Sequence, residues 1–183
     1  MIRTPRSQLS AMSRALRTAL FASLLIVAST AGSAMAAPGG QSSFAAIRAA
    51  TAAFHDLSTA QAAGYGLLPG CFEHADGGMG VHYVRGDLVG DGAIDPQTPE
   101  ALVYEPLPNG NFRLVAVEYV VIKDAWAGAQ PPELFGQTFS FEPAPNEFNV
   151  PADFYELHVW LWQPNPNGMF YEWNPQVSCD DAS

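Results

Sequence analysis

Three polar side chains fall at positions where strand periodicity calls for apolar ones. Glu118 belongs to the alternation Phe112, Leu114, Ala116, Val120 and Ile122, so its carboxylate points where its neighbours are apolar. Burying it without a partner would be costly. Over 154–162, Leu157, Val159 and Leu161 share one face, while Glu156, His158, Trp160 and Trp162 share the other. Two tryptophans beside a histidine make a ligand wall, and Tyr83 joins it from an earlier segment. His82 follows the glycine-dense run Gly77-Gly78-Met79-Gly80-Val81, where backbone can approach a ligand closely. If His82, Glu118 and His158 converge from three extended segments, they present two imidazoles and a carboxylate, a donor set for a divalent metal. Glu73, His74 and Met79 lie nearby as further ligand types. The alternatives are structural. Glu118 could be met by Arg113, Arg85 or backbone amides, and His158 with its tryptophans could complete a second core layer.

Other chemistries find less support. The glycine run is not followed by a helix start with Lys and Ser or Thr, so it is no phosphate loop. No G-x-S-x-G elbow exposes a nucleophile. Asp87, Asp91, Gly92, Ile94 and Asp95 match part of a calcium-loop pattern. Val89 and Thr98 stand where two ligands are needed, and the segment reads as an acidic surface turn. His55, beside Asp56, reads as a helix-surface or interface residue.

The elements that must position these groups are legible in outline. From Ser43 to Ala63 the chain is Ala-rich, with Phe44, Ile47, Phe54 and Leu57 near helical spacing. Ser58 and Gln61 resemble a capping box, predicting two short helices or one bent one that ends at Gly64 and Gly66. After Gly70, short extended runs separated by Gly, Pro, Asn and Asp predict strands over 80–85, 101–105, 111–123, 138–141 and 154–162. Asn109 and Gly110 mark a hairpin between the second and third of these. Segments 124–133 and 142–151 are Pro-rich loops, and 165–183 is irregular apart from 170–173. The longest strand is apolar on both faces and must be covered twice. An α+β fold follows, with an N-terminal helix or helix pair packed on a curled, mainly antiparallel sheet, a roll or partial barrel. A two-sheet sandwich is the alternative.

Residues 1–36 carry Arg3, Arg6, Arg14 and Arg17 ahead of an apolar run and an Ala34-Met35-Ala36 cleavage signature, the pattern of a cleavable signal peptide. The apolar run is shorter than the roughly 20 residues a membrane span needs. The expected product is periplasmic or secreted, with no membrane association after cleavage. It has a flexible start over 37–42 and a single domain over 43–183. The chain holds 8 basic and 18 acidic residues, for a net charge of −10. Losing the four leader arginines takes this to −14. That balance argues against nucleic acid as a partner and favours cations. Cys71 and Cys179 are the only cysteines. In an oxidising compartment such a pair reads as one structural disulfide, tying the tail to the end of the helical part.

The words Ala-Ala-Gly-Tyr (62–65), Gly-Gly-Met-Gly-Val-His-Tyr (77–83), Val-Glu-Tyr-Val-Val (117–121), Leu-Phe-Gly-Gln (134–137) and Leu-His-Val-Trp-Leu-Trp-Gln-Pro-Asn-Pro-Asn-Gly-Met-Phe (157–170) resemble a group of uncharacterised exported bacterial proteins. The resemblance runs from about Thr59 to Cys179 and agrees with the leader, the single domain and the cysteine pairing. It implies no activity and no site residues. The expectation from the residues themselves is a small-ligand or metal-binding domain, lined by Tyr83, Trp160 and Trp162 around His82, Glu118 and His158. A metal-assisted or general acid/base enzyme and a structural or interaction module are the alternatives.

Overall fold

A computed structural model describes residues 39–182, so the leader expected over 1–36 lies outside the described residues. Helix α1 (Gly39–Thr51) begins earlier than the start expected at Ser43, and a 3-10 turn (Ala52–His55) leads to α2 (Leu57–Ala62). Asp56 caps α2, its Oδ1 accepting from the Ser58 N–H at 2.9 Å. The cap is therefore Asp56, not the Ser58 of a capping box. A short carboxylate two residues earlier, just ahead of the first helical residue, is the better acceptor for the first free N–H groups.

Six strands form one antiparallel sheet, in the order β1-β2-β3-β4-β8-β7. They are β1 (Gly66–His74), β2 (Gly77–Val84), β3 (Ala101–Pro106), β4 (Phe112–Ile122), β7 (Ser140–Glu142) and β8 (Phe154–Val159). The sheet curls into a half-barrel, and the fold is α+β. A short helix α3 (Gly86–Val89) sits between β2 and β3, and β5 (Glu133–Leu134) and β6 (Gln137–Thr138) make a separate small hairpin. Gly110, at φ +75°, turns the chain between β3 and β4, as its pairing with Asn109 predicts.

Strand β1 is not among the sequence expectations, because Pro69 and Gly70 interrupt its pattern. It forms as an edge strand, where a missing N–H faces outward, and its register slips between Leu67 and Cys71. Cys71 sits on this strand and is bonded to Cys179, so the tail is tied to the sheet edge rather than to the helices. Closing a loop of this size contributes about 5 kcal/mol in the chain-entropy picture.

The two faces of the sheet carry different cores. Ile47 and Ala60 of the helices pack with Tyr65, Tyr83, Leu102, Tyr104, Leu114, Val117, Tyr119, Leu157 and Val159 on one face. The opposite face holds Val103, Ala116 and Trp160 in one cluster, and Met79, Phe148, Phe154 and Trp173 in another. Strict alternation along β4 fails at one point. Val103 pairs with Ala116 and Tyr104 with Leu114, leaving Val115 as a bulge. Phe112 and Leu114 thus join Val117 and Tyr119 on the helix side, while Ala116, Glu118, Val120 and Ile122 keep the other face. The Val115 carbonyl accepts from the N–H groups of both Trp162 and Gln163 at 3.0 Å, which turns the chain after β8.

The tail closes over the glycine-dense start of β2. Gly78 donates to the carbonyls of Asn174 and Val177 at 3.1 and 3.0 Å. A Cβ on Gly78 would come within 2.6 Å of the Val177 oxygen, so only glycine permits this approach.

Candidate metal centre

Cross-strand register brings Glu118 of β4 directly opposite His158 of β8, a spacing at which side chains touch. His82 of β2 lies further off, since β3 runs between. His82 pairs with Val103, and Ala101 pairs with Glu118. Two strand spacings amount to about 10 Å on a flat sheet. On β3, which runs between them, Ala101 and Val103 carry short side chains. His82 Nε2 lies 3.4 Å from Glu118 Oε2. One donor atom from each of His82, Glu118 and His158 falls within 4.8 Å of the others.

All three groups are sealed from solvent, at 1 %, 4 % and 2 % exposure for His82, Glu118 and His158. Among the described residues, neither ring nitrogen of either histidine, nor Glu118 Oε1, has a hydrogen-bond partner in good geometry. The 3.4 Å approach of His82 to Glu118 is too poorly aligned to count as one. An unpaired buried polar atom costs about 1–3 kcal/mol. The four cationic side chains of the described residues are all engaged elsewhere. Arg48 donates to the Leu161 carbonyl at 3.2 Å, Arg85 to Asp87 at 3.1 Å, Arg113 to Glu105, and Lys123 to Asp153 at 3.2 Å. Neither Arg85 nor Arg113 meets Glu118.

Burial sets the protonation of the cluster. It pushes His82 down to about 4, with the Gly80 backbone opposing. It pushes His158 well below the usual imidazole range, and a charge on His82 pushes it further. Both rings are neutral near pH 7 and keep a lone pair for a ligand bond. Glu118 is pushed up to about 7 by burial, against a hydrogen bond from Glu156 and with added repulsion from Glu172 and Glu142. Glu156, buried beside it, is pushed well above the carboxylate range by burial and then by the Glu118 charge. Two carboxyl groups buried side by side disfavour joint ionisation.

Glu156 also belongs to a second gathering of carboxylates, with Glu142 and Glu172, whose oxygens come within 4.8 Å of one another. Glu142 and Glu172 are half-buried. The sequence signal for Glu156 was its place two residues before His158. Glu142 and Glu172 carried none, since one lies at the end of a three-residue strand and the other in irregular chain. Glu100 is a further buried carboxylate that sequence reasoning missed. Its Oε2 accepts from the Val120 N–H at 3.1 Å, and burial pushes it up to about 8.

The expected aromatic wall does not form around these donors. Tyr83 follows His82 in the alternation and therefore faces the helix-side core, edge-on to Tyr104 at 5.4 Å between ring centroids. It borders a different hollow, with Leu67, Cys71 and Phe112. Trp162 lies beyond the end of β8, after the turn fixed by Val115, and its ring meets His55 at 4.3 Å. Only Trp160 keeps the expected side. Its ring lies 4.5 Å from His158, and its Nε1 donates to the Tyr171 carbonyl at 2.6 Å. Glu73 and His74 are exposed, and His74 lies 3.5 Å from Asp76. Met79 is buried with Phe148 and Trp173. In the acidic turn, Asp91 accepts from Ala93 N–H and Asp95 from Gln97 N–H, each locally, and Asp87 pairs with Arg85.

Beside the site lies a cavity of about 70 Å³ bordered by His82, Glu118 and Glu156, but not by His158, and otherwise by aliphatic and aromatic groups.

The donor set fits a transition metal. Ligand bonds of about 2.0–2.1 Å at tetrahedral angles set neighbouring donors about 3.4 Å apart. His82 and Glu118 already stand at that separation. Two imidazoles and one carboxylate suit zinc, iron, cobalt or nickel better than calcium or magnesium, which prefer oxygen. Comparisons with protein-family profiles, with curated proteins and with solved structures give no match.

Proposed function

We propose that this chain binds one divalent transition-metal ion through His82, Glu118 and His158. One observation supports the reading: among the described residues, four imidazole nitrogens and a carboxylate oxygen are buried together with no well-aligned hydrogen-bond partner. An ion would give two of those nitrogens and the carboxylate a partner, and would take the place of the proton that burial otherwise keeps on Glu118. The acidic balance of the chain, −10 overall, favours a cationic guest. Three protein donors leave coordination open, as in catalytic rather than purely structural centres.

Elemental analysis of the purified protein after equilibration with Zn²⁺, Co²⁺, Ni²⁺ and Fe²⁺ tests this. The expected result is one equivalent of metal, lost in folded His82→Ala, His158→Ala and Glu118→Gln variants. Failure of the wild-type protein to retain any of the four ions would overturn the reading.

The same proposal places the protein outside the cytoplasm. The Cys71–Cys179 bond and the leader pattern support export, and no described helix is long and apolar enough to cross a membrane. Intact-mass measurement of the protein recovered from periplasm or medium is expected to show a chain beginning at Ala37.

A further inference from the structure

We infer that the open coordination position at His82, Glu118 and His158 faces the adjoining cavity and takes a neutral ligand of two or three atoms, of the dioxygen or nitric oxide class. The inference rests on the metal reading above and concerns what reaches the ion.

Size comes first. The cavity measures about 70 Å³, whereas about 150 Å³ is needed to hold benzene and a water's share of the liquid is about 30 Å³. A sugar, a nucleotide or an amino acid cannot be enclosed in it.

Chemistry narrows the choice further. Apart from His82, Glu118 and Glu156, the lining consists of hydrocarbon side chains such as Leu68, Val84, Val120, Ile122, Phe148 and Phe154. No cation borders the space, so nothing there offsets the charge of an entering anion. Both carboxyl groups border the space and would repel it. A water molecule would find side-chain partners only in His82, Glu118 and Glu156. A small apolar molecule loses nothing on leaving water for such a space. Leu68, Val84, Val89 and Val150 of the lining are half-buried rather than sealed. The approach from solvent therefore runs past hydrocarbon before it meets the donors.

Two probes test this on the whole protein. Xenon, taken up by dry apolar cavities, is expected to bind the metal-free protein and shift the methyl resonances of Val120 and Ile122. Nitric oxide added to the anaerobic Fe²⁺-loaded protein is expected to give a new paramagnetic signal. Azide and acetate are expected to perturb the Co²⁺ spectrum only at concentrations at least tenfold higher than those at which nitric oxide acts on the Fe²⁺ form. Ile122→Phe fills the space and is expected to weaken the nitric oxide response at least tenfold while metal content stays at one equivalent. Val120→Leu is a milder plug if the first variant does not fold, with a smaller loss in the same direction. A protein that holds metal yet shows no nitric oxide signal, or a signal indifferent to both plugs, overturns the inference and leaves the metal reading standing. So does tighter binding of azide or acetate. A protein that holds no metal overturns both.

Discussion

The two faces of the sheet treat buried polar groups in opposite ways. On the helix side, Tyr65, Tyr104 and Tyr119 are buried among hydrocarbon, and each hydroxyl donates to a backbone carbonyl. The acceptors are Pro99 at 2.8 Å, Phe54 at 2.7 Å and Pro96 at 2.6 Å. On the other side, His82, His158 and Glu118 are as deeply buried and leave five polar atoms unmatched among the described residues, against Trp162 Nε1 alone at the margin of the helix-side core. One chain built both faces, so the unmatched set is not a general looseness of packing. Satisfied polar groups are what a core keeps for its own cohesion, and unsatisfied ones point to a guest.

Adding the guest is the strongest way to press this contrast. With zinc or cobalt at about 1,000 times its dissociation constant, the native state gains about 4 kcal/mol. Thermal or urea unfolding should register that gain, and a chelator should reverse it. The His158→Ala variant should show none of it, whereas Tyr104→Phe should keep it in full.

Acidity gives the next handle. Glu118 is raised from 4.5 to about 7 and Glu100 from 4.5 to about 8. The metal-free protein should therefore lose stability as pH climbs from about 5 through 8, because the unfolded chain gives up those protons first. His82, lowered from 6.5 to about 4, acts in the opposite range, and stability should also fall as pH drops from 6.5 through 4. Urea midpoints of the apoprotein should peak between about pH 5 and 6. Glu118→Gln should flatten the alkaline limb by up to about 3 kcal/mol. Bound metal should reverse the slope between pH 5 and 7, since protons then compete with the ion. An alkaline limb unchanged in Glu118→Gln would place the burial penalty elsewhere.

Deleting single polar groups sharpens the comparison most finely. Tyr104→Phe and Tyr119→Phe should each cost about 1 kcal/mol, the value of a satisfied hydrogen bond and its stranded carbonyl. His158→Leu in the metal-free protein should cost less than either, or raise stability, because it removes two nitrogens with no partner. Equal losses on both faces, measured by urea unfolding, would erase the distinction.

Much of this arrangement can be read from residue order. The alternation of Glu156 and His158 with Leu157 and Val159 sets the imidazole opposite the helix-side core, and the Asn109-Gly110 turn sets β3 beside β4. What alternation does not carry is its own interruption. Val115 looks like any other strand valine, yet it sits outside the ladder, so Phe112 and Leu114 change sides relative to Glu118. Trp162 goes astray for the same reason: nothing in the run from Leu157 announces that pairing ends at Val159. Strand β1 hides behind Pro69 and Gly70, which read as a turn and turn out to suit an edge. The meeting of His82 with Glu118 spans an intervening strand, a relation of the whole sheet that no single segment encodes.

The bulge at Val115 has a further consequence for how this chain tolerates change. It works as a phase break, separating the hairpin half of β4 from the half that bears Glu118. Removing Val115 itself would restore one unbroken rhythm. Either Leu114 would then swing toward the imidazoles or Glu118 would swing toward the helices, and the two halves could no longer serve their separate sides.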